Sequence, residues 1–228
     1  MTRQIFLDTE TTGLEPRLGH RIIEIAAVEM VNRRLTGRYF HRYLNPEREI
    51  DAGAEAVHGL SSAFLQDKPK FADVVDEFLQ FISLDELVIH NAAFDIGFLR
   101  HELGLLDRAG QLEQNPVLDT LRMARELHPG QKNNLDALCR RYEVDNASRT
   151  LHGALLDAEL LAAVYLGMTR GQDSLMIGME TPGGEAGEMQ EPLLVQPRIL
   201  PASAEELQAH HSVVRAIGKS SRGACFLW

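Results

Sequence analysis

A chain of 228 residues, 44% hydrophobic and 25% charged, holds enough apolar material for one domain of about 150–200 residues with an appendage, or for two small domains, without cross-links. Its formal net charge of −10 excludes a protein that coats nucleic acid by bulk electrostatics, but not an enzyme that handles nucleic acid at one site through cations. No run approaches the ~20 apolar residues of a membrane span, MTRQIFLDTE meets acids too early for a signal peptide, and Cys139 and Cys225 form no metal or CxxC pattern, so a reduced, cytoplasmic setting is expected.

Residues 4–8 (QIFLD) predict a short buried strand, 21–31 (RIIEIAAVEMV) a second, and 37–44 (GRYFHRYL) a third after a turn at NRRLTG; Asn45-Pro46 closes this antiparallel meander. Phe71, Val74, Val75, Phe78, Leu79 and Ile82 fall at helical spacing and predict a helix over 71–82. ELVIH at 86–90 is a buried strand, AAFDIGFLRHELGL a helix, and PVLDT at 116–120 a short strand entering another helix. NLDALCRRYEV and GALLDAELLAAVYLGM are two more helices. Three hairpin-linked strands followed by βα units predict an α/β fold, a mixed sheet of about five strands flanked by helices.

After residue 170 the composition shifts. GQDSLMIGMETPGGEAGEMQEP is rich in Gly, Pro and Glu and is expected to be a flexible linker. Ser203 and Glu206 then form an S-x-x-E box that opens a helix over 203–218, stopped at Gly218.

Three stretches carry acids in suggestive positions. In LDTETTG, Asp8 and Glu10 stand two apart on a strand, so both leave one face while Thr9 leaves the other. Two carboxylates this close repel unless a cation lies between them, and oxygen ligands suit Mg2+ or Mn2+. The plain alternative is two solvated acids at a strand end. In VIHNAAFDIGFL, Asp95 falls in the first turn of a helix, where it either answers the helix dipole or meets a partner among its apolar neighbours. In LHGALLDAELL, His152 and Asp157 are five apart, which on a continuous helix separates them by about 140°. A helix that starts near Gly153 resolves this: His152 lies just before it and swings over a site that Asp157 helps to hold. Taken singly, each is an ordinary polar residue; the joint pattern is what carries weight.

In order and spacing, LDTETTG, HNAAFDIGFL and HGALLD resemble the three exonuclease motifs of the DEDDh family of 3′→5′ exonucleases, over about residues 4–168. Within it, AVHGL, NNLDALCRRYEVDNASRTLHGALLDAELLAAVYLGM and the final CFLW resemble the proofreading subunits of bacterial DNA polymerase III. The resemblance implies a ribonuclease H-like fold. It implies that Asp8, Glu10, Asp95 and Asp157 bind two divalent ions, that His152 is the general base, and that the products are a nucleoside 5′-monophosphate and a strand shorter by one nucleotide. Two cations ~3.5–4 Å apart suit that hydrolysis because they stabilise both the attacking and the leaving oxygen. His58 and Asn91 match nucleotide-contact positions. Thr11 offers a hydroxyl beside the acids, and Phe94 either stacks on a base or packs in the core.

The same resemblance divides the chain into an exonuclease domain at 1–170, a linker at 171–198 and a docking segment at 199–228. It implies a single-stranded or frayed DNA 3′ end as substrate, the polymerase alpha subunit as partner of the tail, and a small theta subunit as a further partner. QDSLMI at 172–177 resembles the peptide bound by sliding clamps, with Gln172 in a small pocket and Leu175 and Ile177 in an apolar one; Ile177 stands where such peptides commonly carry Phe. Two rival functions are a free-standing exonuclease acting on RNA or oligonucleotides and a non-catalytic adaptor between polymerase and clamp. The second predicts lost metal ligands, whereas all four acids and the histidine are present.

Overall fold

The structure, a computed structural model, describes residues 2–147, 151–170, 203–208 and 210–212. Its centre is a five-stranded mixed sheet in the order β3-β2-β1-β4-β5, formed by β1 (Arg3–Thr11), β2 (Ile22–Val31), β3 (Arg34–Tyr43), β4 (Glu86–Ile89) and β5 (Val117–Asp119). The first three strands are antiparallel, as the meander predicts, and β4 and β5 add in parallel on the other side of β1. The helices are α1 (Ala52–His58), α2 (Ser62–Leu65), α3 (Phe71–Ile82), α4 (Ala92–Leu105), α5 (Thr120–Leu127), α6 (Leu135–Arg141) and α7 (Ala154–Met168).

The period-two alternation of β1 explains the layering. Ile5 and Leu7 join a core with α3 and α4, including Phe78, Phe98 and Leu103. Phe6 points the opposite way, into a core with α6 and α7 that includes Leu138, Leu161 and Val164. With helices on both faces, β1 reads as a continuous apolar run, whereas the edge strand β3 is mostly exposed. The α3 prediction holds: Phe71, Val74, Val75, Phe78 and Ile82 are buried, each contributing about 1.5–3 kcal/mol at most.

Several boundaries differ from the sequence prediction. β1 does not stop at residue 8 but continues to Thr11, because β2 still pairs with it there, past a bulge between Glu10 and Thr11. β3 starts at Arg34 rather than 37: Asn32 and Arg33 alone make the turn, both at positive φ (48° and 63°), as a tight two-residue hairpin requires. α1 and α2 occupy a stretch where no element is predicted. α6 ends at Arg141, three residues early, where Glu143 turns left-handed (φ 56°) and the Val144 N–H returns to the Cys139 carbonyl at 2.9 Å.

The chain after Glu180 forms a separate unit. In it, residues 204–208 and 210–212 are helical, and the predicted capping box is present: the Ser203 N–H donates to Glu206 Oε2 at 2.7 Å and the Glu206 N–H to Ser203 Oγ at 3.2 Å. The rest of the predicted helix lies outside the described residues.

Candidate active site

The ladder between β1 and β4 ends at the pair Leu7 and Ile89, so Asp8–Thr11 run on alone along that side of β1. Asp8 and Glu10 continue the face of Phe6, and Thr9 that of Leu7. α4 begins just past β4, and its first turn brings Asp95 to the protruding end of β1. There the Thr9 hydroxyl donates to Asp95 Oδ1 at 2.7 Å, with both residues buried. Thr9 therefore supplies the partner that a carboxylate among Phe94, Ile96 and Phe98 requires. Asn91, the residue before α4, adopts a left-handed conformation (φ 67°), and its N–H points to Asp119 Oδ1 at 3.2 Å.

α7 delivers the remaining pair. Gly153 is its N-cap and Asp157, 4% exposed, sits in the first turn. His152 precedes the cap, so the rotation of a continuous helix does not apply, and its Nδ1 lies 3.6 Å from Asp157 Oδ2 with the ring side chain 47% exposed. Glu10, His152 and Asp157 each offer one ligand atom, all within 4.8 Å of one another. The segment before α7 is held from behind by α1: the His152 N–H donates to the Val57 carbonyl at 3.2 Å. Gly59 caps α1 at φ 71°, and a Cβ there would come within 2.6 Å of Leu151 Cδ1. The pair His58-Gly59 in AVHGL thus has a conformational reason: the left-handed turn favours glycine, and any Cβ there would also push aside the tip of the half-exposed Leu151 side chain.

The acids crowd one another. Loss of hydration, then the charges of Asp95, Glu10, Asp157 and Glu24, hold the Asp8 carboxyl well above the usual carboxylate range. Burial raises Asp95 to about 7, against the pull of the Thr9 hydrogen bond. Such a group of carboxylates gains most from a divalent cation, and its all-oxygen acids match a hard ion.

The site opens into a cavity of about 710 Å3 whose wall includes Asp8, Glu10, Asp95, Asp157, His152, Asn91 and Phe94. Seven of the predicted site residues are thus brought together. Phe94 packs in the core as one of its two expected roles has it, on Phe98 with ring centroids 4.9 Å apart, and it also lines the cavity. Thr11 and His58 do not reach the wall. The Thr11 hydroxyl donates to the Gly13 carbonyl at 2.7 Å. His58 is buried at the end of α1, where its Nδ1 accepts the Leu60 N–H at 3.0 Å and burial lowers its pKa. Gln172, Leu175 and Ile177 lie outside the described residues. Sequence inspection missed Thr9 as a partner of Asp95, and it missed His90, which lines the cavity and whose Nδ1 lies 3.0 Å from Thr120 Oγ1. The signal for His90 was its place at the end of a buried strand.

The family model described as Exonuclease (RNase_T) matches residues 5–165, from β1 into α7. The chain belongs to this exonuclease family. Over 242 aligned residues it is 52% identical to "DNA polymerase III subunit epsilon" of Salmonella typhimurium (strain LT2), covering 100% of this chain and 98% of that one. It is 50% identical to the protein of the same name from Escherichia coli (strain K12), with the same coverage. Among solved structures, "Exonuclease X in complex with 5′ overhanging duplex DNA" matches with a TM-score of 0.57 at 27% identity, over 76% of this chain and 93% of that chain. The exonuclease is accordingly a nuclease hydrolase of a divalent-metal-dependent family, with its clustered acids as a candidate metal site. Among the described residues, no helix of this exonuclease is long and apolar enough to cross a membrane.

Proposed function

We propose that this exonuclease removes mispaired nucleotides from DNA 3′ ends as the proofreading subunit of a DNA polymerase III. The observation that carries this is the 50–52% identity, over nearly the full length of both chains, to proteins named DNA polymerase III subunit epsilon. In this reading Asp8, Glu10, Asp95 and Asp157 hold two divalent ions, Mg2+ or Mn2+. Their convergence on one cavity and the charge repulsion at Asp8 support it. Such ions, when bound, favour the charge that builds on the attacking and leaving oxygens of a phosphodiester.

The chain's own residues do the rest. His152 takes the proton of the attacking water; its half-exposed ring at the cavity rim, with Nδ1 3.6 Å from Asp157 Oδ2, suits that role. Asn91 and Phe94 hold the terminal nucleotide, while Thr11 and His58 shape the wall from behind. The strand leaves one nucleotide shorter, with a nucleoside 5′-monophosphate as the other product. Residues 199–228 dock on the alpha subunit, residues 171–198 serve as linker, Gln172, Leu175 and Ile177 engage the sliding clamp, and a theta subunit binds the nuclease domain, all in the cytoplasm. The capped helix with Leu207 48% exposed supports docking by the tail; the clamp peptide rests on sequence resemblance.

The test is degradation of end-labelled primers by the full chain with Mg2+, on paired and mispaired 3′ termini. Faster loss of the mispaired nucleotide, released as a 5′-monophosphate and abolished by EDTA, is expected. Digestion from 5′ ends, or equal rates on both termini, overturns the proposal.

A further inference from the structure

A second cavity, of about 760 Å3, adjoins the acidic one, and Asn91 and Phe94 line both. Its floor is one face of α4: Ala93, Gly97, Arg100 and His101 follow at helical spacing i, i+4, i+7 and i+8. The facing wall is the segment Leu14–Arg17. Gly97 is informative. A glycine inside a helix costs about 1 kcal/mol relative to alanine. Yet a Cβ at Gly97 would meet nothing within 4 Å, so neither packing nor a left-handed turn calls for glycine there. Its effect is to leave the floor of the cavity bare beside the residues that divide it from the acidic cleft.

The charge of this trough is opposite to that of its neighbour. Arg17, Arg100 and His101 line it, against the single acid Glu15, whose carboxylate accepts the Arg17 backbone N–H at 3.4 Å. Arg100 pairs with Glu113 at 3.3 Å, with both side chains more than half exposed (53% and 59%). A surface pair of that kind is worth little and exchanges readily for another anion. In a chain of net charge −10, two arginines therefore face an open trough next to a cleft whose acids repel a polyanion.

We infer that the second cavity is the subsite for the single strand upstream of the terminal nucleotide, with Arg17 and Arg100 contacting its phosphates over the bare floor at Gly97. The strand passes from this trough across Asn91 and Phe94 into the acidic cleft. The trough supplies the attraction that holds the strand while the acids are engaged with cations. This inference rests on the proposed 3′→5′ exonuclease activity and adds the residues that grip the strand.

The experiment compares two substrates in the full chain: a short single-stranded DNA, and the p-nitrophenyl ester of thymidine 5′-monophosphate, which has no upstream nucleotide. For the double variant Arg17→Ala, Arg100→Ala, the KM of the oligonucleotide should rise about tenfold and the slope of log KM against log salt should fall by about 1.4, roughly 0.7 per lost phosphate contact. Hydrolysis of the ester should be unchanged. Lysine at both positions should restore most of the oligonucleotide affinity. Gly97→Leu, which fills open space, should raise the KM of the oligonucleotide alone. A wild-type chain inactive on both substrates overturns the parent proposal and this one with it. Variants that match the wild type on the oligonucleotide, or that lose both substrates by the same factor, overturn only the subsite.

Discussion

The hydroxyl of Thr9 donates to Asp95 Oδ1 at 2.7 Å, from the face of β1 opposite to Asp8 and Glu10. The bond fixes the acid of α4 against the strand that carries the other two, so it sets how the carboxylates meet. Thr9→Val removes the donor while keeping the shape. A hydrogen bond to a charged group is worth about 1.5–3 kcal/mol. The divalent-ion concentration for half-maximal activity should therefore rise about tenfold or more, where 1.4 kcal/mol corresponds to a factor of ten. A metal titration of activity, with calorimetry beside it, measures this; an unmoved midpoint would remove Thr9 from the site's architecture.

His152→Ala should leave folding intact and cut turnover by about 10²–10⁴-fold, the usual contribution of a positioned base. Because the ring also lies within 4.8 Å of Glu10 and Asp157 ligand atoms, the same variant separates two roles. Metal affinity that stays at the wild-type value in calorimetry supports the base. A loss of affinity in step with activity makes His152 a ligand instead.

The acids also predict how the metal-stripped protein responds to pH. The Asp95 carboxyl is raised from 3.8 to about 7 by burial, so the native state keeps a proton that the unfolded chain has already released. The native state binds more protons in that window, and its stability must fall as pH rises from about 4 to about 7. The raised Asp8 acts in the same direction. Divalent ions replace the proton and should flatten the profile. Urea melts in EDTA and in Mg2+ across this range are the measurement, and stability that climbs with pH in EDTA contradicts the electrostatics.

Gly59→Ala should cost about 1–2 kcal/mol from the left-handed backbone alone. It should also depress activity beyond that loss, because its Cβ would drive into Leu151, the neighbour of His152. Gly37→Ala is the control: its φ is +80° but nothing lies within 4 Å. It should show the strain in a melt and leave kcat as in the wild type. Equal kcat in both variants would sever AVHGL from the histidine.

The sequence exposes this site where chemistry and period coincide. Asp8 and Glu10 declare a shared face because strand side chains alternate. Asp157 and His152 become a pair once Gly153 is read as a helix start. What hides is what depends on distance through space. Thr9 looks like a spacer, since nothing local says that a helix 86 residues later will present a buried carboxylate to it. α1 and α2 are short and carry few buried apolar residues, so no periodic pattern marks them. The length of β1 past residue 8 is likewise set by β2, its partner, rather than by its own apolar run.

α7 carries Asp157 in its first turn and runs 15 residues to Met168. At about 1.5 Å per residue the helix spans roughly 22 Å. Met168, at its far end, therefore lies roughly 16 Å along the axis from Asp157. One helix thus serves two ends: its first turn faces the cavity, while Val164 and Met168 pack with Phe6 and Val28 beneath the sheet.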